Sequence, residues 1–157
     1  MEIRKMQLDD YEDVYALWRS CPGMGLNNVD DSREGIGKYL ARNPDTCFVA
    51  VEQGQVIGGI LAGNDGRRGY IGHTAVSPDH QRKGIGKQLV ETALGALRRQ
   101  GISKVNLVVF VRNSAGNHFW EKMGFTTRPD LVYRNRALMD MVRDDTSADH
   151  GSASEGS

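Results

Sequence analysis

The sequence is poor in cysteine, and its two cysteines, Cys21 and Cys47, are too few for a disulfide framework. It begins with Met1 and Glu2 rather than with a basic and then apolar leader, so we expect reduced thiols in a cytoplasmic protein. No uninterrupted apolar run is longer than the five residues of 107–111, far shorter than the roughly 20 residues of a membrane-spanning helix. The sequence therefore predicts no membrane partner.

An excess of charge of either sign is also absent. Lys and Arg number 20 and Asp and Glu number 20, so the formal net charge is zero. This balance argues against a globally basic nucleic-acid-binding protein, and we expect no nucleic-acid partner. The spacing of Cys, His, Asp and Glu matches no metal site, so no metal is expected. The length of 157 residues suits one domain, which we expect at 1–143, with a disordered tail at 144–157 that lacks Lys, Arg and aromatic residues.

The hydrophobic pattern predicts an α/β protein. Its order of elements indicates a mixed central sheet of about six to seven strands, with helices on both faces and one right-handed βαβ unit over 70–111. The predicted helices are 10–20, 32–43, 84–100 and 114–123. The predicted strands are 2–7, 47–52, 56–62, 70–76 and 104–111, with a closing pair at 125–127 and 131–139.

The most informative segment is 80–90, where a strand has ended and a Gly-rich loop opens an amphipathic helix. A helix N-terminus carries unpaired N–H groups and partial positive charge, and therefore binds anions. Gly84 and Gly86 lack side chains that would hold a phosphate away from those donors. The segment contains no acidic residue, and its basic residues other than histidine are Arg82, Lys83 and Lys87. The pattern predicts a polyanion site that suits a diphosphate.

Two common nucleotide-binding motifs do not fit this segment. A P-loop requires Gly at position 81 and Ser or Thr at position 88, and both positions are Gln. A dinucleotide-binding fingerprint requires a third Gly at position 89, which is Leu89. Taken alone, two glycines are more typical of a solvated helix start with exposed basic residues.

A second motif, taken together with the first, indicates one protein superfamily. Gln81-x-x-Gly84-x-Gly86 resembles the Q/R-x-x-G-x-G/A signature of the GNAT superfamily of acyl-CoA-dependent N-acetyltransferases. The segment from Asn113 to Phe125, which contains Phe-Trp-Glu-Lys-Met-Gly-Phe, resembles the superfamily's N…(F/Y)-Y-E-K-x-G-F block at the expected distance. The resemblance covers nearly all of 1–140. It is greatest to the small bacterial acetyltransferases of the YpeA type.

The resemblance implies a GNAT fold that uses acetyl-CoA as cosubstrate. It implies that the backbone N–H groups of 82–87 hold the coenzyme A diphosphate and that the pantetheine arm lies along the strand ending at Val76. The N–H of Val76 would polarise the thioester carbonyl, as an oxyanion hole does. The residues implied in cofactor binding are Ala75, Val76, Gln81, Arg82, Lys83, Gly84, Ile85, Gly86, Lys87, Asn113, Asn117, Trp120 and Lys122. Lys122 fits a solvated helix residue equally well.

Trp120 departs from the superfamily's pattern, because a Tyr that protonates the departing thiolate commonly occupies this position. An indole N–H donates a hydrogen bond but is no proton-transfer acid at neutral pH. The positions at which the superfamily often carries its base are Tyr70, Gly72 and Val108, and none is a carboxylate or a histidine. Strand alternation turns His73 to the face opposite Gly72, so we expect His73 to be packed or solvent-facing.

The predicted loop before the second helix contains the candidate residues for the acceptor. Asp30, Asp31 and Glu34 lie in or after the loop that borders the acceptor site in the superfamily, and they are expected either to bind a cationic amine or to cap the helix. We therefore predict transfer of an acetyl group from acetyl-CoA to a primary amine by direct attack. The expected acceptor carries an amine and is a small molecule or a protein N-terminus. A homodimer is a further partner that the sequence neither predicts nor excludes. The alternative is a catalytically silent acyl-CoA-binding or sensing module.

Overall fold

The computed structural model describes residues 1–144, so residues 145–157 of the tail predicted at 144–157 lie outside the described residues. Asp144, which the sequence analysis places in that tail, is docked against the fold. Its backbone N–H donates to the carbonyl of Leu26 at 2.8 Å, and its carboxylate accepts a hydrogen bond from the hydroxyl of Tyr15. The folded region therefore includes Asp144.

Five strands and four α-helices make up the described fold, and short 3₁₀ turns precede α1 and follow β4. In chain order they are β1 (Glu2–Lys5), α1 (Tyr11–Ser20), α2 (Arg33–Arg42), β2 (Phe48–Glu52), β3 (Gln55–Asn64), β4 (Gly69–Val76), α3 (Ile85–Arg99), β5 (Val105–Asn106) and α4 (Ser114–Lys122).

The strands form one mixed sheet in the order β1-β2-β3-β4-β5. Strands β1 to β4 pair with one another in antiparallel fashion. Strand β5 runs parallel to β4 and is reached through α3. The α/β class and the mixed sheet are therefore confirmed. The right-handed sense of the crossover stays a prediction.

Helices cover both faces of the sheet, as predicted. On one face, Trp18 of α1 and Leu40 of α2 pack with Leu61 of β3 in a buried cluster. On the other face, Leu89 of α3 packs with Ile60 of β3. Each fully buried aliphatic side chain contributes roughly 1.5–3 kcal/mol to the free energy of unfolding, so the two layers stabilise the sheet from both sides.

The helix ends follow local rules that the sequence displays. Ser32 caps α2, because its hydroxyl oxygen accepts the Gly35 N–H at 3.0 Å. Gly101 adopts a left-handed φ of 81° after α3, and its N–H donates to the Arg98 carbonyl at 2.9 Å. These caps place α2 and α3 close to the predicted bounds.

Strand β4 contains a bulge that breaks its side-chain alternation. Ile60 and Ala62 of β3 pair with Thr74 and Ile71 of β4, so β4 has one extra residue between these pairs. Ile71 consequently packs under α3, whereas Ala75 packs under α1, although a regular strand would turn both to one face.

Because of the bulge, the His73 side chain does not have the predicted orientation. The His73 ring packs on Trp18 of α1 with 4.8 Å between ring centroids. A Cβ built on Gly72 would lie 3.7 Å from the Cβ of Leu61, which also packs under α1. Both positions therefore face the α1 side, and the prediction that they face opposite sides is wrong.

The predicted count of six to seven strands is also wrong: within residues 1–144 the sheet has five strands. The predicted strand at 104–111 shortens to β5, and 125–127 and 131–139 form no strands in the described chain. The physical reason lies in where this segment makes its hydrogen bonds. Val142 exchanges hydrogen bonds with Asn28 at 2.7 and 3.0 Å, so the chain returns to the α1 side instead of the β5 edge.

Candidate active site at the open edge of strand β4

The site begins where β4 and β5 separate. The described ladder joins Gly69 to Val105 and Tyr70 to Asn106 and then ends, although β4 continues to Val76. The edge of β4 that faces β5 is therefore free of strand pairing from Ile71 onwards, within the described residues. An unpaired strand edge offers a row of backbone N–H and C=O groups to an extended ligand.

Val76 ends this edge with its peptide groups directed into the opening. The N–H of Ser77 donates to the Ile57 carbonyl of β3 at 2.8 Å. Because successive residues of an antiparallel ladder alternate in direction, the N–H and C=O of Val76 point away from β3. The Val76 carbonyl accepts from the side-chain amide of Gln81 at 3.1 Å and from the thiol of Cys21 at 3.5 Å. Burial raises the pKa of the Cys21 thiol, which is therefore the donor in the second contact.

The loop between Val76 and α3 has an unusual backbone. Arg82 and Gly84 both adopt left-handed φ angles, 67° and 80° respectively, and Gly84 is the N-cap of α3. No side chain caps this helix, and its first turn contains no acidic residue. The first-turn N–H groups are thus free of an intrahelical acceptor, beside the exposed side chains of Lys83 and Lys87. This geometry suits an anion.

The two glycines of the motif have different surroundings. A Cβ built on Gly84 meets nothing within 4 Å, so that position faces open space. A Cβ built on Gly86 would lie 3.4 Å from the Phe119 ring of α4 and 3.8 Å from the Val76 side chain. A Cβ at Gly86 would thus meet α4 and the end of β4 at ordinary contact distance, and the role of its missing side chain in anion approach stays a prediction.

Helix α4 packs over the same end of the sheet through aromatic side chains. Trp120 is half-buried between Phe119 and Phe125, at centroid distances of 5.0 and 5.2 Å. The Asn113 side chain caps α4 by accepting the Gly116 N–H at 2.9 Å. The side-chain amide of Asn117 donates to the carbonyls of Phe110 and Asn113 at 3.0 and 2.8 Å. Both asparagines thus hold the start of α4, and Lys122 is exposed at its end.

A cavity of about 240 Å³ lies on the α1 side of the sheet, between the loop before α2 and the segment that follows α4. Asp30, Asp31 and His73 line it together with Tyr133 and Arg136. Glu34, the third predicted acceptor residue, lies elsewhere and borders a shallow groove along α2 with Leu8 and Lys38. The structure thus brings Asp30 and Asp31 together and leaves Glu34 outside the cavity.

The pairing of His73 with Asp31 was not predicted from the sequence. His73 Nε2 lies 2.8 Å from Asp31 Oδ1. The available signal was a histidine in a strand that leads to the Gly-rich loop, but the bulge that turns it toward Asp31 has no sequence signature. Within residues 1–144, no group of three or more His, Cys, Asp and Glu side chains lies close enough together to hold a metal ion. Nor do these residues include a helix with the length and apolarity to cross a membrane.

Comparisons with known proteins find acetyltransferases that are similar in sequence and in fold. An acetyltransferase of Sodalis glossinidius is 32% identical over 140 residues, which are 89% of this chain and 97% of that protein. The structure of the PaiA N-acetyltransferase of Thermoplasma acidophilum in complex with coenzyme A superposes with a TM-score of 0.71 at 23% identity, over 81% of this chain and 90% of that chain. The structure of AAC(6')-Iy with the bisubstrate analog CoA-S-monomethyl-acetylneamine superposes with a TM-score of 0.66 at 21% identity, over 87% and 98%.

The two solved structures show that this chain has the same fold as they do. The sequence comparisons in addition show its family. The model of the acetyltransferase (GNAT) family matches residues 11–125, from the start of α1 to the residue that ends the second motif. The chain therefore belongs to the GNAT family of acetyltransferases, as its two motifs predicted.

Proposed function

We propose that this N-acetyltransferase transfers the acetyl group to a primary amine by direct attack of the amine on the thioester. Acetyl-CoA is the acetyl donor. The observation that carries the proposal is the junction at Val76, where an unpaired strand edge meets the uncapped N-terminus of α3. Acetyl-CoA has a part for each surface: its extended pantetheine arm suits the strand edge, and its diphosphate suits the helix N-terminus.

In this proposal the diphosphate is bound by the backbone N–H groups of 82–87, and Arg82, Lys83 and Lys87 supply positive charge. The pantetheine arm lies along the β4 edge beside Ala75 and forms hydrogen bonds with the outward-facing peptide groups of Val76. Asn113 and Asn117 act by fixing the start of α4, because Asn113 Oδ1 accepts the Gly116 N–H and the Asn117 amide donates to the Asn113 carbonyl. Trp120 supplies an apolar wall.

The chemical step needs a polarised carbonyl and a neutral amine. The N–H of Val76 points into the opening and would stabilise the oxyanion, a contribution of about 3 kcal/mol for one well-placed donor. The thiolate is a tolerable leaving group, because a free thiol has a pKa of about 8.5. Trp120 therefore does not have to provide a proton, and positioning supplies most of the rate enhancement.

The proposed acceptor is an amine-bearing small molecule or a protein N-terminus. The carboxylate of Asp30, at the cavity wall, would attract the ammonium form of either. The small-molecule acceptor is supported by the likeness to AAC(6')-Iy with its acetylneamine analog and by a cavity of about 240 Å³. A homodimer and the absence of a nucleic-acid partner stay predictions.

Thiol release from acetyl-CoA tests the proposal, with a panel of polyamines, amino acids, aminoglycosides and peptides that have free N-termini. Amine-dependent release that depends linearly on enzyme concentration supports transfer. Tight acetyl-CoA binding in a calorimeter without release for any amine would instead support the silent acyl-CoA-binding module, which the substitution at Trp120 favours.

A further inference from the structure

A buried histidine–carboxylate pair lies at the wall of the cavity. His73 Nε2 and Asp31 Oδ1 are 2.8 Å apart, and their side chains are only 10% and 6% exposed. An ionised carboxylate accepts hydrogen bonds and donates none, so Nε2 carries the hydrogen. In the neutral ring, Nδ1 then keeps its lone pair and can accept a proton.

The pair is held from several sides. Asp31 Oδ2 accepts the backbone N–H of Asn27 at 2.8 Å, and the Asp31 carbonyl accepts the hydroxyl of Tyr11 at 2.7 Å. On the opposite side, the His73 ring meets the edge of Trp18 at an interplanar angle of 66°. A ring fixed by a carboxylate and an indole keeps one orientation, which is what a proton acceptor needs.

The second ring nitrogen is free for a ligand. His73 Nδ1 makes no hydrogen bond with residues 1–144, and His73 lines the cavity. The charged or titratable groups that share the cavity are Asp30 and Asp31 from the loop before α2, and Tyr133 and Arg136 from the segment after α4. From α1, the ring meets Trp18, which does not titrate, while Tyr11 bonds to the Asp31 backbone.

The distance along β4 fits a base that acts on a bound amine. Val76 follows His73 by three steps along the strand, or roughly 10 Å at the rise of a strand. This leaves room for the acceptor nitrogen and one bridging water between Nδ1 and a thioester held at the Val76 N–H.

We propose that His73 is the general base for the acceptor amine and that Asp31 is its positioning residue; this inference rests on the proposed function. Nδ1 takes one proton from the ammonium group, directly or through one water. The neutral amine forms a bond to the thioester carbon, and the C–S bond then breaks. The leaving thiolate takes the second proton from the nitrogen, and His73 releases the first to solvent. One amide, one thiol and one proton result.

The test is the pH profile of thiol release for wild type, His73→Gln and Asp31→Asn. His118→Gln is the matched control, because His118 is an exposed histidine on α4. Gln at position 73 can still donate to Asp31 but cannot accept a proton as imidazole does. Two acceptors with different amine pKa values separate the enzyme's ionisation from the acceptor's own.

We expect His73→Gln to lower kcat/KM about a hundredfold at neutral pH, with acetyl-CoA affinity unchanged. The loss shrinks as the pH approaches the pKa of the acceptor amine, where the free base is abundant. In wild type, one acid-side limb stays at the same pH for both acceptors, and this limb disappears in His73→Gln. Asp31→Asn moves the same limb, with a smaller loss. An unchanged profile in His73→Gln, or an equal loss at every pH, would overturn the proposal.

A measurement on the wild type covers the case in which the variants do not fold. In ¹⁵N-labelled protein, long-range ¹⁵N–¹H spectra of the neutral ring should report the hydrogen on Nε2 of His73, and addition of an acceptor amine should shift the Nδ1 resonance. A hydrogen on Nδ1 would exclude this base even if acetyl transfer is real. An absence of thiol release with every amine, with the Nε2–H form present, would count against the proposed function and with it against the role of His73.

Discussion

Gln81 donates a hydrogen of its side-chain amide to the backbone carbonyl of Val76 across 3.1 Å. The bond joins the loop that opens α3 to the last residue of β4. It therefore couples the two surfaces proposed to hold coenzyme A, the uncapped helix start and the free strand edge.

Replacement of Gln81 by Leu should weaken acetyl-CoA binding about tenfold, because the Val76 carbonyl loses a donor and the loop loses its tie to β4. Gln81→Arg keeps a donor at this position and should retain most of the affinity. Calorimetric titration of the three proteins measures the difference. Equal affinity in wild type and Gln81→Leu would show that this bond does not organise the site.

Local sequence rules account for much of the fold. The helices predicted at 32–43 and 84–100 lie close to α2 and α3, because local features such as the Ser32 cap and Gly101 set their ends. The Gly-rich loop was predictable for the same reason, since glycine at a left-handed φ and the absence of acidic residues are properties of a short segment.

Features that depend on distant contacts were not predictable. The bulge in β4 depends on its register with β3, and it alone turns His73 toward Asp31, 42 residues away in sequence. The contact between Gly86 and Phe119 of α4 likewise joins distant parts of the chain and could not be read from the Gly-rich segment. The sequence predicts a strand at 131–139, yet this segment lines the cavity, and Val142 just beyond it bonds to Asn28 in the loop before α2.

Lys87 should contribute to binding through the phosphates alone. It is exposed in the first turn of α3, and a unit charge at about 4 Å in water contributes roughly 1 kcal/mol. We expect Lys87→Gln to weaken coenzyme A binding a few-fold at low salt and to leave the binding of acetyl-pantetheine, which lacks the diphosphate, unchanged. A similar loss for both ligands would place Lys87 away from the diphosphate.

The ion pair of Arg4 and Asp10 should make stability depend on pH. The two side chains form two hydrogen bonds of 2.9 and 2.8 Å. The Arg4 guanidinium, through these bonds, lowers the pKa of Asp10 below its ordinary value. The stabilisation is thus complete above the ordinary carboxyl pKa of about 4 and is lost as the pH falls through the lowered value.

We expect Asp10→Asn to lower the free energy of unfolding by about 2 kcal/mol at pH near 7, as measured by urea titration. The difference from wild type should shrink in acid, below the lowered pKa of Asp10. Asp45→Asn is the control, because the Lys5–Asp45 pair is also on β1 but its side chains are 53% and 55% exposed. That variant should change stability by less than about 1 kcal/mol.

The two cysteines should differ in reactivity and in their response to the cofactor. Burial raises the pKa of Cys47 to about 12, so Cys47 should resist maleimide in the native protein. Cys21 is partly exposed, and its thiol contacts the Val76 carbonyl at 3.5 Å. A pantetheine arm at Val76 should therefore slow the labelling of Cys21, as followed by mass spectrometry. Labelling of Cys21 at the same rate with and without coenzyme A would contradict the proposed path of the arm.

Substitutions of Trp120 distinguish a role in packing from a role in proton transfer. Its ring lies within an aromatic group with Phe119 and Phe125, so Trp120→Ala should lower acetyl-CoA affinity by about 1–3 kcal/mol and reduce stability through lost apolar contact. Trp120→Tyr keeps an aromatic ring and adds a hydroxyl. Thiol release at saturating acetyl-CoA should then hold or rise, by up to roughly a hundredfold if the hydroxyl reaches the leaving sulfur. Loss of nearly all turnover in Trp120→Tyr, with acetyl-CoA binding and unfolding midpoint intact, would instead give the indole N–H a direct part in the reaction, because the ring's apolar contacts would have been preserved.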